Sequence, residues 1–337
     1  GRIGWNIVTG YLDSAERLIG QKGLKDHDLR YEQAEEFLEL CYKFWEGSWE
    51  DDAVQKDKLN RVFTDPSKVH AIQHQGKFFQ SQGVFQVSPS IQRTPVLYQA
   101  GASSKGLAFA TQHAEAMFIG ADTPEKLKQQ VDKIRALALS HGRDEQAIKL
   151  FVGISVVTAE TDELAQEKLA EYIRYASPEA GLVHFSSSVG IDLAQFTDDE
   201  AIPYKQTNSI ASVNNKFKEQ KVTRADLKAQ HVLGGRYPLI VGSGKTVAEK
   251  LIQLLDETGV DGFNLTRTVA PESHQDFIHW VIPELQERGR YKTAYETGSL
   301  RHKLFAQGDR LAADHPVQQY RCQSSSPDSK TQQKQTA

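Results

Sequence analysis

The chain has 337 residues, a formal net charge of −4, 39% hydrophobic residues and 25% charged residues. This composition is typical of a globular protein with one large domain or two ordinary ones. There is no basic excess to neutralise a nucleic-acid backbone, which argues against a nucleic-acid partner. No apolar run reaches the length of about 18 residues that a membrane span needs, so we expect no membrane segment.

The two cysteines, Cys41 and Cys322, lie far apart in the sequence and form neither a disulfide nor a metal-binding pattern. A reducing, cytoplasmic location is therefore the default expectation. Cys41 falls on the apolar side of a predicted helix, where packing is its expected role.

The chain opens without an initiator methionine on the apolar, β-branched run from Gly1 to Thr9. Such a run is typical of an interior strand rather than of a loosely held terminus. We predict a strand at residues 3–9 with Asn6 and Thr9 near its carboxyl end. We also expect that an upstream portion of the protein is missing.

A loop with about one helical turn is predicted for residues 11–30, and a helix for residues 30–45 with Asp28 as its N-cap. His27 and Tyr31 lie four residues apart where the loop enters this helix, so both can point into one cleft. Arg30 supplies a cation between them. Ordinary polar residues at a helix start are the alternative explanation, and the spacing alone does not exclude it.

Residues 46–93 predict a packed excursion that contains a short hairpin with Gly76 in its turn. His70 and His74 have the spacing of a metal-binding pair only if they lie on a helix. Gly76 argues against a helix here, so the sequence predicts no metal site.

The stretch from Pro95 to Gly106 predicts a buried strand, a glycine turn, two serines and a helix start. Free backbone N–H groups at a helix N-terminus, together with the hydroxyls of Ser103 and Ser104, form a ready site for an anion such as phosphate. The other interpretation is that one serine only caps the helix. Both interpretations remain open from the spacing.

The remaining sequence alternates apolar strands with amphipathic helices, which predicts a parallel sheet flanked by helices. Five strands could form an open sheet or the last five strands of an eight-stranded barrel, and in a barrel the carboxyl ends of the strands would carry the active site. Residues 177–237 lack a steady period and predict short helices with a lid-like role. Residues 323–337 predict a disordered tail. The five predicted strands are residues 3–9, 95–100, 116–120, 149–157 and 260–265.

Three more features follow from the later sequence. Thr123 and Pro124 predict the start of a helix that runs to about Ser140. Pro283 predicts a kink in the helix 274–288. The run Gly242-Ser-Gly-Lys-Thr246 is similar to a phosphate-binding loop, but the position five residues before Gly244 is Leu239 rather than glycine. Thr246 is therefore interpreted as a helix cap.

Several runs, in the same order along most of the chain, resemble the bacterial-luciferase-like superfamily. The nearest group is the nitrilotriacetate monooxygenase component A family, which includes dibenzothiophene-sulfone and long-chain alkane monooxygenases. The runs that carry the resemblance are Gly4-Trp-Asn-Ile-Val-Thr9, His27-Asp-Leu-Arg-Tyr31, Ala34-Glu-Glu-Phe37, Tyr98-Gln-Ala-Gly-Ala-Ser-Ser-Lys-Gly106, Glu257-Thr-Gly-Val-Asp-Gly-Phe-Asn-Leu265 and Val281-Ile-Pro-Glu-Leu-Gln-Glu-Arg-Gly289.

The resemblance implies a TIM-type (β/α)8 barrel and a two-component monooxygenase. Such an enzyme receives reduced FMN from a separate flavin reductase and uses O2 to oxygenate a small organic substrate of the amine, sulfone or alkane type. Members of the family commonly form homodimers. The matching positions imply Asn6 and Arg30 as catalytic candidates, and as flavin-binding residues Thr9, His27, Tyr31, Ala102, Ser103 and Ser104.

The resemblance also implies departures from the family pattern. Gly1 falls just before the fourth barrel strand, so the barrel domain 1–322 would contain about the last five strand–helix units, with 177–237 as an insertion before the final strand. Gly10 stands where relatives often have a polar residue. An inactive truncated remnant, or a flavin-binding or interaction protein without catalysis, is therefore the alternative function. A deazaflavin-dependent reductase is disfavoured by the Trp5–Thr9 and His27–Tyr31 runs.

Overall fold

The computed structural model describes residues 1–121, 123–204, 217, 221–233, 235 and 237–322. The strands are β1 Gly4–Ile7, β2 Val54–Asp57, β3 Val62–Thr64, β4 Ile72–Gln75, β5 Gln80–Gly83, β6 Val96–Gln99, β7 Ala116–Ile119, β8 Lys149–Ala159, β9 Leu239–Ser243 and β10 Gly262–Thr266. The helices are α1 Asp13–Leu18, α2 His27–Gly47, α3 Ser104–His113, α4 Pro124–Ser140, α5 Asp162–Tyr175, α6 Pro178–Val189, α7 Arg224–Gln230, α8 Gly244–Thr258, α9 Glu272–Asp276, α10 Ile282–Glu287 and α11 Leu300–Phe305.

The main sheet has the strand order β1-β6-β7-β8-β10, and β9 also pairs with β8. All recorded pairings among β6 to β10 are parallel, with Phe118 of β7 opposite Phe151 of β8 and Asn264 of β10 opposite Gly153. The predicted α/β fold with a parallel sheet is therefore confirmed. Because the strands are parallel, their carboxyl ends lie along one edge, and the loops that follow them meet there.

Helix α4 shows how the sequence builds the layer outside the sheet. Thr123 caps the helix through the Lys126 N–H, and Pro124 occupies the first turn, as predicted. Leu127, Val131 and Ile134 are buried against the apolar side chains of β7 and β8. Burial of these three side chains contributes about 1.5–3 kcal/mol each to stability.

Strand β9 was not among the five predicted strands, and this omission was wrong. Only Leu239, Ile240 and Val241 are apolar before Gly242, which is too short a run to be distinguished from a loop by periodicity. The strand forms because the long strand β8 offers it a partner, with Val157 opposite Val241. Tertiary pairing thus decides the structure of a segment that is ambiguous on its own.

The start of helix α2 also differs from the prediction. The helix begins at His27, three residues earlier than expected, and Asp28 does not cap it. Instead, the carboxylate of Asp26 accepts the N–H groups of Asp28 at 2.9 Å and Leu29 at 3.4 Å. Two aspartates that are two residues apart look equally suitable as N-caps, and only the backbone conformation distinguishes them.

The described part of 177–237 has a hydrophobic cluster of its own. Leu182 and Phe185 of α6 pack with Leu227 of α7 in this cluster. Ion pairs join the same two helices, with Arg224 Nη2 2.7 Å and Lys228 Nζ 2.6 Å from the carboxylate of Glu179. The predicted short helices are therefore confirmed, whereas the predicted disordered tail 323–337 lies outside the described residues.

The helical segment around Pro283 is interrupted on the amino-terminal side of the proline, where a kink was predicted. A π-helical turn, Phe277–Val281, separates α9 from α10. Proline has no N–H to donate, and its ring collides with the carbonyl group four residues earlier, so a locally widened turn accommodates it.

By its internal contacts the chain divides into two compact units, which consist of the described residues of Gly1–Trp5, Glu32–Leu97 and Thr297–Ala337, and of Asn6–Tyr31 and Tyr98–Glu296. In the first unit the carboxylate of Glu46 is fully buried. It accepts the Thr94 hydroxyl at 2.6 Å and lies 2.8 Å from Arg310 Nη2. A buried charge is tolerated only when it is paired in this way.

The predicted hairpin is present in the same unit as β4 and β5, with Gly76 in the turn. The two histidines that could have been a metal pair have separate carboxylate partners. His70 Nε2 lies 2.9 Å from Glu50, and His74 Nε2, on strand β4, lies 3.2 Å from Glu36. Elsewhere in this unit, burial raises the pKa of the Cys41 thiol to about 12, which fits the packing role predicted for it.

Candidate active site

The turn between β6 and α3 is the centre of the candidate site. Helix α3 begins at Ser104, and Ser103 is its N-cap, because the Ser103 hydroxyl accepts the Gly106 N–H at 3.0 Å. The capping interpretation is therefore confirmed for Ser103. Capping does not use the N–H groups of Ser104 and Lys105, which have no partner within the helix by its geometry. An anion at this turn can thus coexist with the cap.

The hydroxyl of Tyr31 lies directly against this turn. A Cβ atom added at Gly101 or at Gly106 would lie 2.6 Å from Tyr31 Oη, so any side chain at either position would collide with the hydroxyl. Gln99 Nε2 donates to Tyr31 Oη at 3.4 Å, and Gln99 Oε1 accepts the Gly101 N–H. The two glycines therefore let a side chain from the start of α2 approach the turn after β6.

His27 belongs to the same cluster. Its ring centroid lies 5.2 Å from that of Tyr31, which in turn lies 5.8 Å from Phe109 of α3. His27 Nδ1 lies 2.8 Å from the carboxylate of Asp28. Because a carboxylate can only accept, Nδ1 donates in this contact, and Nε2 is then the acceptor nitrogen of the neutral ring. The structure thus brings together His27, Tyr31 and the turn that carries Ser103.

Arg30 has a contact that the sequence did not suggest. The residue is buried, and its Nη1 donates to the Lys25 carbonyl at 2.7 Å, which ties the loop before α2 to the helix. Burial lowers the pKa of the Arg30 guanidinium below its ordinary value. The guanidinium fixes the loop that positions His27 and Tyr31, and its predicted catalytic role stays a prediction.

Asn6 and Thr9 lie at and just beyond the carboxyl end of β1, the strand beside β6. Asn6 is exposed and Thr9 is half-buried. Gly10 follows with a φ of 76°, a left-handed conformation that favours glycine. The structure shows no hydrogen bond between these described residues and His27, Tyr31 or Ser103, so their predicted roles remain predictions.

Sequence reasoning missed Gln99. It is 3% exposed, and it joins the Tyr31 hydroxyl to the backbone of the turn. The signal was a single polar residue at the end of an otherwise apolar strand, a position where buried polar groups need partners. Lys105 was also missed, and it places an ammonium group in the first turn of α3.

A second serine turn precedes helix α8, at the Gly242-Ser-Gly-Lys-Thr246 run. Here Ser243 is the cap and accepts the Thr246 N–H at 3.3 Å, so the predicted cap at Thr246 was wrong. The carboxylate of Asp162 accepts the Ser243 N–H at 2.6 Å and the Thr246 hydroxyl at 3.1 Å. The backbone N–H of Ser243 lowers the pKa of Asp162. This N-terminus therefore already holds an anion from the chain itself.

Among the described residues, no group of three or more His, Cys, Asp and Glu side chains is placed to hold a metal ion. No described helix combines the length and the apolar character that crossing a bilayer requires.

Comparison with known proteins decides the family. The sequence profile of the luciferase-like monooxygenases matches residues 1–262. The chain belongs to this family. It is 44% identical over 326 residues to the dimethyl-sulfide monooxygenase of Hyphomicrobium sulfonivorans, a match that covers 95% of this chain and 68% of the relative. It is 45% identical over 323 residues to the long-chain alkane monooxygenase of Geobacillus thermodenitrificans (strain NG80-2), covering 95% and 70%.

A solved structure agrees with this assignment to the luciferase-like family. The crystal structure of a riboflavin lyase, RcaE, with modified FMN and riboflavin matches with a TM-score of 0.89 and 38% identity. The match covers 96% of this chain and 72% of the lyase chain. Relatives also include dibenzothiophene-sulfone monooxygenase and nitrilotriacetate monooxygenase component A. The predicted family and the predicted monooxygenase class are therefore confirmed.

Proposed function

We propose that the chain is an FMN-dependent monooxygenase of a two-component system. It binds reduced FMN delivered by a separate flavin reductase and uses O2 to oxygenate a small organic substrate. Family membership supports the reaction type, and one family member is an FMNH2-dependent dimethylsulfone monooxygenase. The observation that carries the proposal for this chain is the packing of Tyr31 Oη on the turn of Gly101 and Gly106.

The residues at this turn fit a flavin phosphate. The first turn of α3 supplies backbone N–H donors, the exposed Ser104 hydroxyl and the positive charge of exposed Lys105. Ala102 adds only a methyl group at this turn and is exposed, so it leaves the approach free of a large side chain. Ser103 contributes by holding the helix start in place through its cap.

The aromatic cluster fits the flavin beyond the phosphate. His27 presents Nε2 as an acceptor, and Tyr31 presents a hydroxyl held by Gln99. Because Tyr31 is 7% exposed and Phe109 is 4% exposed, these side chains form a dry wall behind the ligand. Asn6, Thr9 and Arg30 complete the proposed set, with Asn6 and Arg30 as the catalytic candidates.

Reduced FMN supplies the two electrons with which O2 is cleaved, so that one oxygen atom enters the substrate and the other leaves as water. The protein holds the flavin phosphate, orients the ring system through His27 and Tyr31, and keeps water from the reacting atoms. Preorganised donors in a dry site are the main contribution that a protein makes to such chemistry.

The finer architecture belongs to the same proposal. We infer a TIM-type barrel, with 177–237 as an insertion that serves as a lid. The structural matches to family members support the barrel, and the separate hydrophobic cluster of α6 and α7 supports the insertion. We further propose a transient complex with the reductase and a homodimer.

The proposed function is tested with the full chain. Reduced FMN is titrated into the protein without oxygen, and binding is measured by equilibrium dialysis. A flavin reductase, NADH, 18O2 and dimethyl sulfide, hexadecane or dibenzothiophene sulfone are then added, and 18O in the product is measured by mass spectrometry. Tight binding with a labelled product is the expected result. Absence of binding would refute the proposal, and binding without any labelled product would favour the non-catalytic alternative.

A further inference from the structure

An open cleft of about 800 Å³ lies apart from the turn of Ser103. Its walls are the carboxyl-terminal half of α5, the first two turns of α6, residues 232–233 and the loop 268–272 that follows β10. We call it the α5–α6 cleft. Its volume falls in the range of small-molecule sites, about 300–1,000 Å³.

The walls of the cleft are fixed by contacts that do not involve its open space. Lys168 Nζ lies 2.6 Å from Asp276 and 3.3 Å from Glu272, which ties α5 to α9. On the other side, a Cβ atom added at Gly181 would lie 2.2 Å from the His231 carbonyl oxygen, so α6 packs closely on the segment before residue 232. The cleft is therefore a built feature and not a gap between loosely packed helices.

The cleft adjoins the edge of the sheet where the proposed flavin turn lies. The loop 268–272 leaves the carboxyl end of β10 at Thr266, and β10 is parallel to β8. The turn of Ser103 leaves the carboxyl end of β6, at the same edge of the parallel sheet, with β7 and β8 between β6 and β10. Substrates of α/β enzymes bind at this edge of the sheet.

The lining of the cleft combines apolar and aromatic surface with acidic groups. Two carboxylates, Glu171 and Glu272, and the imidazole of His184 line the cleft, and no Lys or Arg is found among the described residues that line it. Each carboxylate has a cation nearby that does not itself line the cleft: Lys168 Nζ lies 3.3 Å from Glu272 and 2.6 Å from Asp276, and Arg174 Nη2 lies 4.0 Å from Glu171. The apolar and aromatic part of the lining consists of Tyr172, Tyr175, Val232, Leu233 and Val269.

We propose that the α5–α6 cleft receives the organic substrate, that this substrate is a neutral, largely apolar molecule of more than a few heavy atoms, and that polycarboxylates are excluded. The inference rests on the proposed monooxygenase function and names one class among the organic substrates that this function allows. The names of the relatives include both classes, since dibenzothiophene sulfone is neutral and nitrilotriacetate is an anion. Like charges brought together in a cleft disfavour binding, so the acidic lining selects the neutral class.

The first test blocks the cleft. Ala180 is exposed and lines it, whereas Val183, three residues further along α6, is 71% exposed and lies outside it. Binding of dibenzothiophene sulfone to the full chain is measured by equilibrium dialysis without flavin. We expect Ala180→Trp to weaken binding at least tenfold and Val183→Trp to leave it within twofold. Equal affinities for the two variants would overturn the proposal.

The second test changes the charge of the cleft. Wild type is expected to bind nitrilotriacetate at least tenfold more weakly than dibenzothiophene sulfone. Ala180→Lys adds a cation inside the cleft and should raise the affinity for nitrilotriacetate about tenfold, whereas Val183→Lys should not change it. Strong binding of nitrilotriacetate by wild type, or the same gain in both lysine variants, would contradict the charge selection.

These measurements separate the cleft from the flavin. Affinity for reduced FMN is measured on the same four variants and is expected to equal that of wild type. If FMN binds but Ala180→Trp leaves the affinity for dibenzothiophene sulfone unchanged, the cleft assignment is wrong and the proposed monooxygenase function stands. If FMN does not bind at all but the sulfone still responds to Ala180→Trp, the proposed function is wrong and the cleft remains a binding site.

Discussion

Helices α3 and α8 begin in the same way and differ in what meets their N-termini. Each follows a strand of the parallel sheet, and each is capped by a serine, Ser103 in one and Ser243 in the other. At α8 the carboxylate of Asp162 accepts the Ser243 N–H and the Thr246 hydroxyl. At α3 the neighbouring groups are the neutral hydroxyl of Tyr31 and the amide of Gln99.

The difference shows that a glycine–serine turn is not by itself an anion site. Both termini present N–H groups and the positive end of a helix dipole. The run before α8 is the one more similar to a phosphate loop, yet an aspartate 81 residues away in the chain satisfies it. The terminus of α3 has no such carboxylate among its recorded contacts with described residues, and it carries Lys105. A ligand phosphate is therefore expected at α3.

The largest effect is expected from making α3 resemble α8. Ser103→Asp keeps a good N-cap but places a carboxylate beside the N–H groups at which the phosphate would lie. We expect the affinity for reduced FMN to fall by about 100-fold, because like charges are brought together at a partly buried site. Equilibrium dialysis measures the affinity, and a thermal melt checks that the fold is retained.

Ser103→Thr is the matched control, since it keeps both the cap and a neutral hydroxyl. It should bind FMN within about threefold of wild type, the small cost of an added methyl group in the turn. If Ser103→Asp bound FMN as well as Ser103→Thr does, the phosphate could not lie at α3, and the contrast between the two helices would lose its functional meaning.

A smaller effect is expected from removing both hydroxyls with Ser103→Ala and Ser104→Ala. The backbone N–H groups and Lys105 remain, so we expect a loss of about tenfold to thirtyfold in FMN affinity, as for one or two hydrogen bonds to a charged group. Loss of the cap should also lower the free energy of unfolding by about 1 kcal/mol. Dialysis and urea denaturation measure the two quantities, and unchanged affinity would refute the assignment of the phosphate to these hydroxyls.

Tyr31→Phe tests the role of the Tyr31 hydroxyl, which lies against the turn before α3. The ring stays in place against Phe109, but the hydroxyl that accepts from Gln99 is removed. We expect FMN affinity to fall by about threefold to tenfold, because one oriented hydrogen-bonding group is lost and the Gln99 amide loses an acceptor. Phe109→Leu is the control for ring packing, and an equal loss in both variants would mean that the hydroxyl has no role of its own.

The contrast between the two helices also shows what the sequence can predict. Alternating apolar strands and amphipathic helices were sufficient for the parallel sheet, and Thr123 with Pro124 was sufficient for the start of α4. These signals are local, because capping and periodicity depend on neighbouring residues. Strand β9 was missed because its pairing with β8 is a contact between distant parts of the chain.

The candidate site also combines local patterns, which the sequence can predict, with contacts between distant parts of the chain, which it cannot. The serine turn and the His27–Tyr31 spacing are local patterns, and the structure brings these residues together. The contact of Gln99 with Tyr31 spans 68 positions, and the contact of Asp162 with Ser243 spans 81. No local pattern encodes either contact. The sequence shows which residues have suitable chemistry. Which of these residues contact one another depends on the packing of the whole sheet.

The smallest effect on FMN is expected from Asp162→Ala, which removes the carboxylate from α8. Affinity for FMN should not change, whereas the melting temperature at pH 7 should fall by a few degrees, because Ser243 N–H and Thr246 lose their acceptor.

The stabilisation by Asp162 should depend on pH. The N–H of Ser243 lowers the pKa of Asp162 from 3.8 in the folded state, so the contribution of its carboxylate to stability is present at neutral pH and is lost as the pH falls through that lowered pKa. The difference in melting temperature from wild type should therefore shrink below about pH 4. Glu163→Ala, in the same first turn of α5, controls for the loss of one negative charge there. Two outcomes would show that the Asp162 carboxylate is not the anion held by the N-terminus of α8. One is a difference in melting temperature between Asp162→Ala and wild type that stays constant from pH 7 to about pH 3, and the other is the same difference in Glu163→Ala.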